Sequence, residues 1–266
     1  YNQFRNPRAR PNNHMSDIRA DDRPLWTPAP ERVDAAILTT FRRAASERSG
    51  RAFDDYSSLW QWSIDEPVDF WRLLWDYCGV LGEPGEVVLT DGERMPGARW
   101  FPQARLNYAE NLLRRYDDSE ALVFWGEDRV RRRLSREALY AEVSRFTRAL
   151  RAVGVGSGDR VAGYLPNLPE ALVAMLATAA LGAVWSSASP DFGVRGVLDR
   201  FGQIEPKVLV CADGYWYGGK PIDCLARTAE IVSRLESVTA VVVVPYLNAS
   251  TDVAAIRGAT RYTDFL

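Results

Sequence analysis

"GVGSGDRVAGYLPN", residues 154–167, places three alternating glycines ahead of an apolar run. Gly154, Gly156 and Gly158 either cradle a phosphate or end one helix and start a strand. A dinucleotide fingerprint runs strand, glycines, helix, so that the pyrophosphate meets a helix N-terminus. The flanking residues argue for the opposite order. Leu139, Val143, Phe146 and Leu150 recur at helical spacing and form one apolar face, with Ser135 as the natural N-cap. "RVAGYL" then reads as a buried strand. Gly154 falls at the C′ position of that helix, where a left-handed residue is favoured. The pattern is also G-x-G-x-G rather than G-x-G-x-x-G. These glycines read as structural punctuation, and a nicotinamide oxidoreductase loses its main support.

The order established there repeats towards the C-terminus. "PEALVAMLATAAL" reads as a helix, "GAVWSSA" as a strand, "VRGVLDRFGQ" as a helix and "KVLVCA" as a strand. "DCLARTAEIVSRLES" and "TAVVVVP" give one more helix and strand. Apolar strands separated by helices imply crossover connections and a mostly parallel sheet with helices on both faces. The expected fold class is therefore α/β.

Upstream the pattern differs. "EALVFWGEDRVRRRLS" has the outline of a hairpin, and "LNYAENLLRR" that of a short helix. Residues 82–103 are turn-rich, with one short strand candidate, and read as a connector. "PERVDAAILTTFRRAASER" predicts one helix from Pro30 to Arg48, closed by Ser49-Gly50. A second helix follows around "DYSSLWQWS", and a third, "EPVDFWRLLWDYCGV", is capped by Asp65 with Pro67 in its first turn. Phe70, Leu74 and Tyr77 share a face, with Trp71 and Trp75 beside it. Together with Trp60 and Trp62 they form an aromatic cluster, read as a packed helical core, with a ligand cage the alternative.

The bulk numbers set limits. The chain has 266 residues, 47% hydrophobic and 26% charged, with a net charge of −2. Such a length sustains a sizeable core. The near-neutral balance gives no reason to expect nucleic acid or an anionic membrane as partner. Cys78, Cys211 and Cys224 are odd in number and lack CxxC spacing, which fits reduced thiols and a cytoplasmic setting. No apolar run is long enough for a membrane span. The start of the chain is polar and reads as an extension or cloning remnant over 1–24, with Met15 a candidate true start. His14, the only histidine, lies in that tail, which argues against Ser-His-Asp and Cys-His catalysis and against histidine-based metal sites.

Ligands of open parallel sheets bind beyond the carboxyl ends of the strands. Four segments occupy such ends: "PNLPE" after Leu165, "SPDFG" after Ala188, "DGYWYGGKP" after Ala212 and "PYLN" after Val244. The third offers Gly218 and Gly219 for close backbone approach, Tyr215, Trp216 and Tyr217 as flat surfaces, and Lys220 as a point charge suited to phosphate. A solvated turn is the alternative. Asp191 reads first as the cap of the following helix. The residues alone thus reach an α/β protein compatible with a nucleotide- or phosphate-scale ligand, with the solvated turn the weightier reading of this segment, and a non-catalytic binding or interaction module fits them as well.

"WFPQARLNYAENLL" (100–113), "GDRVAGYLPNLPEALVAMLATAALGAVWSSASPDFG" (158–193) and "PKVLVCADGYWYGGKPI" (206–222) resemble the amino-terminal part of acyl-CoA synthetases of the adenylate-forming superfamily. The Trp-rich helices at 54–80 resemble the amino-terminal cap of the acetyl-CoA synthetase group. "WSSASPDFG" and "LNYAENLL" look most like the acetoacetate branch, ahead of the acetyl and propionyl branches. The resemblance implies a helical cap and connector over 25–105 and part of the large α/β domain over 106–266. It implies a two-step ligase that uses ATP, Mg²⁺ and CoA, activates acetoacetate as an acyl-adenylate, and passes the acyl group to the CoA thiol. The family's phosphate loop, ribose-binding acid and adenylation lysine match nothing within these 266 residues, so the chain alone is expected to be inactive, with no catalytic or metal-binding residue of its own. Where relatives have Arg-Gly-Gly-Arg against the CoA phosphates, this chain has Tyr217, Gly218, Gly219 and Lys220. Their Phe-Gly-Gly on the pantetheine side falls on Ser189, Pro190 and Asp191, a clear change. These positions are the implied CoA contacts.

Overall fold

The computed structural model describes residues 24–127 and 129–266; the expectations for His14 and Met15 lie outside them. The chain divides into two compact units after Gly79.

The first unit carries helices α1 (Pro30–Asp34), α2 (Ile37–Ser49), α3 (Tyr56–Asp65) and α4 (Pro67–Tyr77). The single helix expected over 30–48 is in fact two. Ala36 is extended (φ −69°, ψ 139°), and the Thr39 hydroxyl donates to the Val33 carbonyl at 2.6 Å, satisfying an acceptor that a continuing turn would have used. Asp65 does not cap α4. It ends α3, where its carboxylate accepts from Gln61 Nε2 at 2.8 Å, and Glu66 stands at the N-cap with Pro67 following. A reciprocal capping box between Asp55 and Ser58 starts α3. Phe41, Ala45, Phe53, Leu59, Trp62 and Leu73 form the core. Trp62 packs 5.2 Å from Phe53 and 5.8 Å from Phe70, whereas Trp60 is half exposed and outside the core.

In the second unit the connector holds two short strands rather than one, β1 (Leu89–Thr90) and β2 (Arg99–Trp100), paired antiparallel. Helix α5 (Tyr108–Leu113) is capped by Asn107. β3 (Glu120–Gly126) and β4 (Val130–Ser135) form the expected hairpin. Helix α6 (Arg136–Ala152) is capped by Ser135, and its Leu139, Val143, Phe146 and Leu150 are all buried. Gly154 follows with φ +81°, beyond comfortable reach for a side-chain residue. Asp159 then accepts the Gly156 N–H at 2.9 Å and Lys207 Nζ at 3.2 Å, which holds its carboxyl below the usual range. The order is helix, glycine turn, strand.

From there the chain runs β5 (Arg160–Tyr164), α7 (Pro169–Ala180), β6 (Val184–Ala188), α8 (Val194–Ile204), β7 (Val208–Ala212), β8 (Gly214–Tyr217), β9 (Lys220–Asp223), α9 (Leu225–Arg234), β10 (Ala240–Val244), β11 (Ala259–Arg261) and α10 (Tyr262–Phe265). Five strands make one parallel sheet in the order β11-β10-β7-β5-β6. Alternation along the strands feeds two cores. Val161, Val208, Val210 and Val242 face Phe146, Leu150 and Val173 of α6 and α7. Ala162, Leu209, Cys211 and Val243 face Val197 and Phe201 of α8 and Ile231 of α9. Burial in this second core pushes the Cys211 thiol far above its ordinary pKa.

Candidate functional site

The strand order starts at β5, moves to one side for β6 and crosses back for β7. In such open sheets the crevice at the carboxyl ends of the strands, where the order reverses, takes ligands. A cavity of about 620 Å³ lies there, over the ends of β5 and β6. Leu165 and Leu172 come from β5's end and α7, Trp185 from β6, Phe124 from the β3–β4 hairpin, and Tyr215 and Tyr217 from β8. Trp185 packs closely against β5: a Cβ on Gly163 would stand 2.5 Å from the indole ring. The resulting walls combine aromatic and aliphatic side chains with polar ones, Asn167, Ser187, Ser189 and Asp191 among them.

The charged group of the lining belongs to the loop after β6. Asp191 does not cap α8; Gly193 holds the N-cap without a side-chain bond. The Asp191 carboxylate turns instead to two hydroxyls, accepting from Tyr215 at 2.5 Å and from Ser189 at 2.8 Å. Those two bonds, Tyr215's first, hold it below the usual carboxylate range, while the same contact pushes the Tyr215 phenol up to about 12. From the other side, Arg227 of α9 donates to the Pro190 carbonyl at 2.7 Å and to the Tyr164 hydroxyl at 3.2 Å. Tyr164 in turn donates to the Phe192 carbonyl at 2.7 Å. Strand, helix and hairpin thus grip this loop together.

The segment expected as an open loop, "DGYWYGGKP", is the antiparallel hairpin β8–β9. Gly218 and Gly219 are its two-residue turn, with φ +56° and +76°, the left-handed pair that such turns require. Lys220 sits opposite Tyr217 in register, and both are exposed. Ser189, Asp191 and Tyr217 therefore line the cavity, while Gly218, Gly219 and Lys220 form the hairpin tip beside it. The turn of the β3–β4 hairpin meets this tip. Glu127 accepts the Gly219 N–H at 3.0 Å, Arg129 donates to the Gly219 carbonyl at 3.3 Å, and the Arg129 guanidinium lies 4.0 Å from the centre of the Trp216 ring. Neither Glu127, Arg129 nor Arg227 carries a local sequence signal; each acts across more than thirty residues of chain, for instance 92 between Glu127 and Gly219. Among the described residues no group of three or more His, Cys, Asp or Glu side chains converges as a metal site.

Residues 109–261 match the family model described as AMP-binding enzyme. The chain belongs to the AMP-binding enzyme family. Residues 56–112 of this AMP-binding enzyme match a second model, acetyl-coenzyme A synthetase N-terminus. It is 49% identical over 246 residues to acetoacetyl-coenzyme A synthetase of Rhizobium meliloti (strain 1021), covering 92% of this chain and 38% of that relative. It is 39% identical over 214 residues to malonamoyl-CoA synthetase of Penicillium aethiopicum, covering 77% of this chain and 30% of that one. The solved acetoacetyl-CoA synthetase from Streptomyces lividans superimposes with a TM-score of 0.83 at 42% identity, over 91% of this chain and 37% of that chain. The chain thus spans 30–38% of the length of these relatives.

Proposed function

We propose that this AMP-binding enzyme chain works as the amino-terminal part of an acetoacetate–CoA ligase. In that reaction acetoacetate attacks the α-phosphate of ATP, giving acetoacetyl-adenylate and pyrophosphate; the CoA thiol then attacks the acyl carbon, forming the thioester and releasing AMP. The reading is carried by likeness to acetoacetyl-CoA synthetases along nearly the whole chain, up to 49% identity across 92% of it. Residues 25–105 act as the amino-terminal cap and connector, and 106–266 as the first α/β subdomain. Magnesium, when bound, offsets phosphate charge during adenylation; the residues described here serve CoA instead. Lys220 faces the nucleotide phosphates at the hairpin tip, with Tyr217, Gly218 and Gly219 shaping that approach. Ser189 and Asp191 present oxygen acceptors on the cavity wall for the amides of the pantetheine arm. The apolar parts of the cavity walls suit the rest of that arm. No helix among the described residues is long and apolar enough to cross a membrane, and we place the enzyme in the cytoplasm and in lipid metabolism.

The test uses the whole protein that carries this chain. Supplied with ATP, Mg²⁺ and CoA, it is offered acetoacetate, malonamate, acetate and propionate, and the acyl-CoA products are read by mass spectrometry. Acetoacetate is expected to give the highest kcat/KM. Preference for another acid, or no thioester at all, overturns the reading.

A further inference from the structure

The β8–β9 tip is held by a residue that its own sequence segment does not contain. Arg129 reaches it from the β3–β4 turn, donates to the Gly219 carbonyl at 3.3 Å and stacks on Trp216 at 4.0 Å. Guanidinium stacking on an indole is among the stronger cation–π arrangements, and it leaves the remaining N–H donors free to point outward. No ion pair of Arg129 is found among the described residues. Lys220 lies on the same turn and is exposed. Two cations from separate hairpins therefore flank one Gly-Gly turn. The Gly219 N–H between them is already taken by a carboxylate, that of Glu127 at 3.0 Å, so the turn's amide lies where an anion is accepted.

We infer that Arg129 is a phosphate-binding residue of this site, held in place by Trp216, and that it supplies a second positive charge beside Lys220 for the nucleotide end of CoA. The inference rests on the acyl-CoA ligase reading above. Arg129 suits this role because its planar fork engages two phosphate oxygens while its face stays on the ring. An incoming phosphate takes the anion position now held by Glu127.

The experiment measures binding of CoA and of pantetheine, which lacks the nucleotide, to the full-length protein by calorimetry, alongside thioester kinetics. Arg129→Ala is expected to weaken CoA binding about three- to fivefold, the range for an exposed charge contact, with pantetheine binding and the adenylation half-reaction unchanged. Trp216→Leu should weaken CoA binding in the same direction and add nothing in the Arg129→Ala background, whereas Trp216→Phe keeps a stacking face and most of the affinity. The salt dependence of CoA binding should become shallower in Arg129→Ala. Equal losses for CoA and pantetheine, or unchanged CoA binding in Arg129→Ala, overturn the inference. If Lys220→Ala weakens CoA binding and Arg129→Ala does not, only the role of Arg129 fails. If neither substitution matters, the placement of CoA at this tip fails with it.

Discussion

Asp213 follows β7 directly, and its replacement is expected to cost far more stability than an ordinary surface substitution. Its carboxylate is buried and accepts the backbone N–H groups of Tyr246, Leu247 and Asn248 at 2.8, 2.9 and 2.9 Å, plus the Thr251 hydroxyl at 2.6 Å. It thereby folds the loop after β10 onto the end of β7. In Asp213→Ala the Thr251 hydroxyl keeps its bond to the Asn248 carbonyl, and the exposed Asn248 N–H turns to water. The Tyr246 N–H keeps the Val244 carbonyl at 3.0 Å, so the half-buried Leu247 N–H is the one left without an acceptor. At roughly 1–3 kcal/mol for one group stranded in this way, together with the weakened bonds of its neighbours, the loss is about 2 kcal/mol. Asp213→Asn retains one acceptor oxygen and should lose about half of that. Urea unfolding of the protein, followed by tryptophan fluorescence, should show a lower midpoint with an unchanged slope. A loss within about 0.5 kcal/mol for Asp213→Ala, the range of an ordinary surface substitution, refutes the reasoning. So does an Asp213→Asn variant as unstable as the alanine one.

Two further outcomes follow from the packing and the hydroxyl–carboxylate contact. Phe146 is fully buried between Tyr262 and Phe265, at 5.4 and 5.3 Å between ring centres, so Phe146→Ala should destabilise by about 3–5 kcal/mol in the same assay. Tyr215→Phe removes the donor that lowers Asp191, so the Asp191 carboxyl should titrate closer to 3.8, read by carbon NMR. The sign at high pH is fixed by the raised phenol. Tyr215 lends stability below its ordinary 10.0 and loses it as pH rises through about 12, so the parent's melting temperature should fall over that window more steeply than the variant's.

What the sequence made legible was periodic. Leu139, Val143, Phe146 and Leu150 repeat at helical spacing, and the structure buries all four. Gly154 reads correctly as a helix end because the order of elements around it is a local property. The site was less legible. The hairpin β8–β9 has a signal, since a Gly-Gly pair sits between two short runs of strand-forming residues, as two-residue hairpins require. That signal competes with a glycine loop at a strand end, and the two have the same composition. Asp191 looks like a helix cap from its position, yet Tyr215, 24 residues away, takes its carboxylate instead. Arg129, Glu127 and Arg227 enter only through tertiary contacts, which no spacing rule encodes. Ala35 and Ala36, both good helix formers, gave no hint of the break that Thr39's hydroxyl helps to stabilise.

The central claim is that CoA enters over the carboxyl ends of β5 and β6, and the most direct test is a crystal structure of the full-length protein with CoA bound. The account predicts the nucleotide phosphates between Lys220 and Arg129, with the Glu127 carboxylate displaced from the Gly219 N–H. It predicts the pantetheine arm running past Asp191 and Ser189 along Trp185. Density for CoA on another face of the protein, with this cavity holding only water, would contradict it.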